Sequence, residues 1–132
     1  MDYFVFRLER GSDLKDSIMA FAQDNSISSG AIVSAVGCVS EVRIRKADGV
    51  NEYFEIKDYE VVSLSGTISE DGPHIHIALS DVNLRTIGGH LLSGTIVNTT
   101  MEIVIMKFNK YKLTRSFDEK TGYKELEVNI NE

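Results

Sequence analysis

A single cysteine, Cys38, among 132 residues rules out an internal disulfide and a thiolate metal cluster. Its neighbours Val36, Gly37 and Val39 mark it as a buried small hydrophobe by expectation, and no histidine lies near it in sequence to activate a thiolate. Basic residues are also in short supply. Fourteen Lys and Arg against 20 Asp and Glu give a formal net charge of −6, and no run of basic residues exceeds two. Such a balance repels phosphate backbones and excludes a generic nucleic-acid surface. No apolar stretch is long enough to cross a bilayer as a helix. The opening Met1-Asp2-Tyr3-Phe4 lacks the basic segment and apolar run of a secretory signal, so a reducing cytoplasm is expected. Proline occurs once, at Pro73, so turns must be sought mainly in glycine, aspartate and asparagine.

What remains is an ordinary globular composition, 42% hydrophobic and 26% charged. A chain of this length buries roughly two-thirds of its unfolded surface and needs neither a disulfide nor a metal to fold. Residues 1–132 are read as one domain.

Tyr3 to Glu9 alternates as a strand, with Tyr3, Val5 and Arg7 on one face and Phe4, Phe6 and Leu8 on the other. Leu14, Ile18, Phe21 and Ala22 then recur at helical spacing, predicting one amphipathic helix over Leu14 to Asp24 with Ser12 as its N-cap. Strand patterns fill the rest: Ala31 to Val39, Val42 to Arg45, Tyr53 to Ile56, Tyr59 to Ser69, His74 to Leu79 and Thr99 to Phe108. Asp48-Gly49 and Asp71-Gly72-Pro73 are turn signals. The polar tail from Lys110 still carries Leu113, Phe117, Tyr123, Leu126 and Val128, and is expected to pack back. The class predicted is α+β, a mainly antiparallel, curled or barrel-like sheet with one principal helix.

All three histidines fall within seventeen residues, in Pro73-His74-Ile75-His76-Ile77 and Gly88-Gly89-His90. Residues two apart in a strand share a face, which puts His74 and His76 side by side, about 6.6 Å apart at Cα. Gly88-Gly89 is expected to turn the backbone sharply and deliver His90 to the same point. Three imidazoles without cysteine suit zinc first, and nickel, copper or iron by ligand type. Three protein ligands leave a fourth position open. The competing account of the same residues is a solvated strand face.

The segments Leu64 to Ser69, Gly72-Pro73-His74-Ile75-His76-Ile77, Ile87-Gly88-Gly89-His90-Leu91 and Thr100 to Ile105 together resemble the PPC domain. That is the domain shared by plants and prokaryotes, found in plants beside AT-hook motifs. The resemblance extends over nearly the whole chain, from Gly37 to the Arg115–Leu126 tail. It implies a compact α+β fold, a homotrimer, and a metal bound by His74, His76 and His90. It also implies a stand-alone prokaryotic protein of the kind described as DNA-binding. Two features depart from the family's pattern. Asn83-Leu84 stands where an acidic residue and glycine are usual, and no AT-hook is present.

Glu102, amid Thr100, Met101, Ile103, Val104 and Ile105, is the candidate acceptor for a ligand imidazole N–H, or a base acting on metal-activated water. On a wet strand face it would simply be exposed. Asp81 reads as a strand-end turn residue. The function expected is a zinc-binding PPC-type protein with a DNA-associated regulatory role, its DNA contact weak or made through a partner protein. The alternatives are a metal-dependent enzyme using the open coordination position, or a ligand-binding trimeric scaffold.

Overall fold

The computed structural model describes residues 2–131. Its elements in chain order are β1 (Asp2–Glu9), α1 (Leu14–Asp24), β2 (Gly30–Arg45), β3 (Glu52–Ser69), β4 (Gly72–Ser80), β5 (Thr86–Leu91), β6 (Ile96–Lys107), β7 (Tyr111–Asp118) and β8 (Tyr123–Ile130). The first six strands form one antiparallel sheet in the order β1-β6-β2-β3-β4-β5, and β7-β8 forms a hairpin of its own. The architecture is the expected α+β, a curled sheet with one helix.

The curl has a definite cause. β2 is sixteen residues long and hydrogen-bonds β6 along its first part, then β5 at its end through Ile44↔Leu91 and Arg45↔His90. Its other edge pairs β3 throughout. The path β2-β3-β4-β5 therefore returns to β2, removing an edge that an open sheet would expose. The interior fills with Val39, Val42, Leu79, Leu91, Val97, Met101, Ile103 and Ile105, all fully shielded from solvent.

Helix α1 lays Leu14, Ile18 and Ala22 on this core. Phe21 stacks on Phe6 of β1 at 3.7 Å between ring centroids. Asp13, not Ser12, caps the helix: its Oδ1 accepts from Asp16 N at 3.0 Å, while its Oδ2 accepts from Gly94 N at 2.7 Å. A carboxylate serves the helix end and the β5–β6 loop at once, which a single hydroxyl does not.

Several strand boundaries differ from expectation. β2 runs on through an irregularity at Val39/Glu41, fusing two predicted strands, and β3 runs unbroken from Glu52 to Ser69. The predicted turns at Asp48-Gly49 and Gly72 are present, with φ of +75° and +114° at the glycines. Cys38 is only half-buried. The tail packs back as expected: Leu113 is buried, Glu70 N donates to Leu113 O at 3.1 Å, and Arg115 N donates to Asp71 Oδ2 at 2.8 Å.

Candidate metal centre

Alternation along β4 decides where its histidines go. Ile75, Ile77 and Leu79 are buried, so His74 and His76 must leave on the opposite face. Residues directly opposed in an antiparallel ladder share a face, and His90 of β5 stands directly opposite His76. The same row continues outward on both sides, to Ser65 of β3 beyond His76 and to Arg45 of β2 beyond His90. Thus four neighbouring strands bring Ser65, His76, His90 and Arg45 into one line, with His74 and Thr67 two residues along. Gly88 and Gly89 do not turn the chain. They lie within β5, where a Cβ would meet Ile77 O at 2.6 Å and Arg45 O at 2.8 Å respectively. Their role is close approach of three backbones, which holds His90 against β2 and β4.

The three rings converge. Centroids of His74 and His76 lie 5.1 Å apart, those of His74 and His90 5.1 Å, and those of His76 and His90 5.7 Å. One nitrogen of each falls within 4.8 Å of the others. Two donors on a tetrahedral zinc with bonds of about 2.0–2.1 Å stand about 3.3 Å apart, so side-chain rotations alone close the gap. His90 Nδ1 is buried without a hydrogen-bond partner, and an orphaned buried ring nitrogen is what an ion or an adjusted ring would relieve. The donor set therefore fits a borderline-soft divalent ion.

Electrostatics keep the rings ready for one. Burial, followed by the neighbouring Arg45 guanidinium, pulls His90 down from 6.5 to about 4. Burial and then Arg115 lower His74. Both are neutral at physiological pH, as ligation requires. Arg115 comes from β7, with Nη2 at 3.4 Å from His74 Nδ1 and 3.4 Å from Thr67 Oγ1.

Glu102 is not among this group. It is exposed on β6, opposite Arg7 of β1 and Val36 of β2, and strands β2 and β3 separate β6 from β4. It makes no hydrogen bond to a histidine among the described residues. Asp81 is buried at the end of β4, accepting from Asn83 N at 2.9 Å, Arg85 N at 3.0 Å and Lys57 Nζ at 2.8 Å. Those bonds, Lys57 first, hold its carboxyl below the usual range and fix the Asn83-Leu84 turn, where Leu84 takes a φ of +65°. Arg45 and Arg115 are the site residues that sequence reading passes over. Each sits far along the chain from the histidines, and only strand register and the packing of the hairpin bring them near.

Known proteins place this geometry in context. The sequence pattern of the Plants and Prokaryotes Conserved (PCC) domain matches residues 1–109. The bifunctional protein GlmU of Synechococcus sp. (strain JA-3-3Ab) is 38% identical over 125 residues, which is 95% of this chain and 20% of that protein. The chain thus spans about a fifth of the length of its curated relatives. Among solved structures, a hypothetical protein from Salmonella cholerae-suis superposes with a TM-score of 0.94 at 30% identity, over 98% of this chain and 94% of the other. A metal-containing protein from Archaeoglobus fulgidus superposes with a TM-score of 0.77 at 27% identity, over 95% and 92%.

Proposed function

Because this chain belongs to the Plants and Prokaryotes Conserved (PCC) domain family, we propose that it is a metal-binding module in which His74, His76 and His90 hold one divalent transition ion, zinc first. The observation that carries this reading is the convergence of one nitrogen from each histidine to within 4.8 Å, from two strands whose register sets them opposite. The metal-containing relative from Archaeoglobus supports it.

The division of labour among the residues follows from the geometry. His76 and His90 are fixed to each other by the β4–β5 ladder, and His74 approaches from two residues along the same face. Burial first, and then the charges of Arg115 and Arg45, favour the neutral forms of His74 and His90 respectively. His74, His76 and His90 would hold the ion, and three protein ligands would leave room for Lewis-acid chemistry on a water or substrate. A metal-dependent hydrolytic role would use that room. Among the described residues no carboxylate joins the three histidines in the converging group.

The exposed valines and isoleucines of β1, β2 and β3 favour self-association, and a homotrimer is the assembly proposed. A DNA-associated regulatory role then rests on a partner protein, since the chain carries six more negative than positive charges. The direct test is a titration with zinc, nickel and copper of the wild type and of His74→Ala, His76→Ala and His90→Ala, with elemental analysis of the purified protein. One equivalent per chain in the wild type, and sharp weakening in each variant, is expected. Equal affinity in all four proteins would return the histidines to a solvated strand face.

A further inference from the structure

Beside the three histidines the β7–β8 hairpin and the end of β2 enclose a cleft of about 320 Å³. Arg45, Arg115, Tyr123 and Lys124 line it together with His74 and His90, and Glu125 is the one carboxylate on its wall. We infer that this cleft binds a small oxyanion, a carboxylate or phosphate group, clamped by the Arg45 and Arg115 guanidinium groups at the open side of the metal.

Among the described residues neither arginine has an acidic partner within ion-pair distance. Acidic residues outnumber basic ones by 20 to 14, yet among the described residues the ion pairs are Arg43–Glu52, Lys57–Asp81 and Lys112–Glu70. Arg45 Nε is buried with no hydrogen-bond acceptor. Arg115 finds only long contacts, 3.4 Å to Thr67 Oγ1, 3.4 Å to His74 Nδ1 and 3.5 Å from Nη1 to Lys124 O. A guanidinium offers five N–H donors in a fixed fork that fits two oxygens of a carboxylate or phosphate. Two such forks, largely unused on one small cleft, are a site lacking its acceptor.

The metal makes the need sharper, and this argument rests on the metal reading above. Three neutral imidazoles cancel none of a dication's charge, unlike carboxylate or thiolate ligands. A dication placed next to Arg45 and Arg115 therefore calls for an anion. The Arg115–His74 contact, at 3.4 Å, is long and weak, so the guanidinium stays available to a ligand beside the histidines. Arg115, Tyr123 and Lys124 lie beyond residue 109, where the family's sequence match ends. The hairpin supplies the Arg115 side of the cleft, and the six-stranded sheet supplies Arg45 and the histidines.

The experiment is calorimetric titration of inorganic phosphate and, separately, of oxalate into the zinc-loaded and the metal-free chain, in a chloride buffer of constant ionic strength. Zinc binding is measured first in each protein. One of the two anions is expected to bind the zinc-loaded wild type, more weakly without zinc. The affinity should fall about tenfold or more in Arg45→Gln and in Arg115→Gln. Lys112→Gln, which lies on the same hairpin with its ion pair to Glu70 outside the cleft, should bind like the wild type. Zinc affinity in Arg115→Gln should be unchanged or higher, because a repelling charge is gone; this separates loss of the anion clamp from loss of fold. Arginine-dependent anion binding in a chain that takes up no zinc would keep the cleft and remove the metal reading. Zinc binding with no heat from either anion, or anion affinity equal in wild type and both arginine variants, would overturn the oxyanion site.

Discussion

His90 carries the largest electrostatic consequence of any residue in the cluster. The unfolded chain protonates it through the ordinary 6.5, whereas in the folded chain burial and Arg45 delay protonation to about 4. Folding therefore gains from this residue above the unfolded value, and the gain is lost as pH falls from 6.5 toward 4. His74 is shifted in the same direction, by burial and Arg115. Chemical denaturation of the metal-free chain should give a lower midpoint near pH 4 than at neutrality, and His90→Asn should flatten that dependence. A slope unchanged by His90→Asn would place its origin in other groups. Protons also compete with the ion for the same lone pairs, so zinc affinity should fall as the pH drops through the folded chain's depressed values, toward about 4 for His90. Glu102→Gln should leave zinc affinity and its pH dependence as they are, because its carboxylate is exposed on β6, opposite Arg7 and Val36, and is not among the converging groups.

Strands, more than single side chains, decide whether the site exists. β5 is held between β4 and β2 by Gly88 and Gly89, where a Cβ would meet backbone carbonyls at 2.6 Å and 2.8 Å. Backbone cannot swing aside as a flexible side chain can. Gly89→Val should therefore open the β5–β2 pairing, destabilise the chain by about 1–3 kcal/mol, and weaken zinc binding by displacing His90. Ile18→Ala should behave oppositely. It empties a fully buried position under α1 and should lower stability by about 2–5 kcal/mol, yet leave zinc affinity intact, since α1 supplies no ligand. Denaturant midpoints and metal titrations on the two variants distinguish these outcomes. The contrast also shows what the sequence could reveal. Alternation through Ile75, Ile77 and Leu79 was enough to place His74 and His76 on one face. The helix was legible from the spacing of Leu14, Ile18 and Ala22. β5 was not, because a glycine pair interrupts its side-chain pattern and reads as a turn; its extended conformation is imposed by two neighbouring backbones. The two arginines were invisible for a related reason. Arg45 joins the site through a two-residue pairing at the end of β2, and Arg115 through a hairpin docked by Leu113 and Asp71.

At the scale of the whole molecule, charge and apolar surface point to different partners. Val5, Val36, Ile56 and Val62 are 76%, 60%, 72% and 57% exposed, on β1, β2 and β3. That much apolar side chain on open strands favours association with another protein surface, and a second and third copy of this chain are the proposed occupants. Light scattering should give three times the 14.7 kDa of one chain; the monomer mass at micromolar concentration would remove the trimer. Nucleic acid is a poorer match. Affinity for duplex DNA comes chiefly from Lys and Arg spread along a face to neutralise successive phosphates. Here the net charge is −6, and two arginines and a lysine gather in a 320 Å³ cleft, which suits one small anion and not a phosphate backbone. Anisotropy titration with a labelled mixed-sequence duplex should show binding only at low ionic strength. Its dissociation constant at physiological salt should be no tighter than about 10⁻⁴ M. Arg45→Gln and Arg115→Gln, which abolish the anion clamp, should change duplex binding little, because cleft residues contribute few backbone contacts. Tight binding that survives physiological salt would locate a phosphate-reading surface in the assembled protein and make DNA a direct partner.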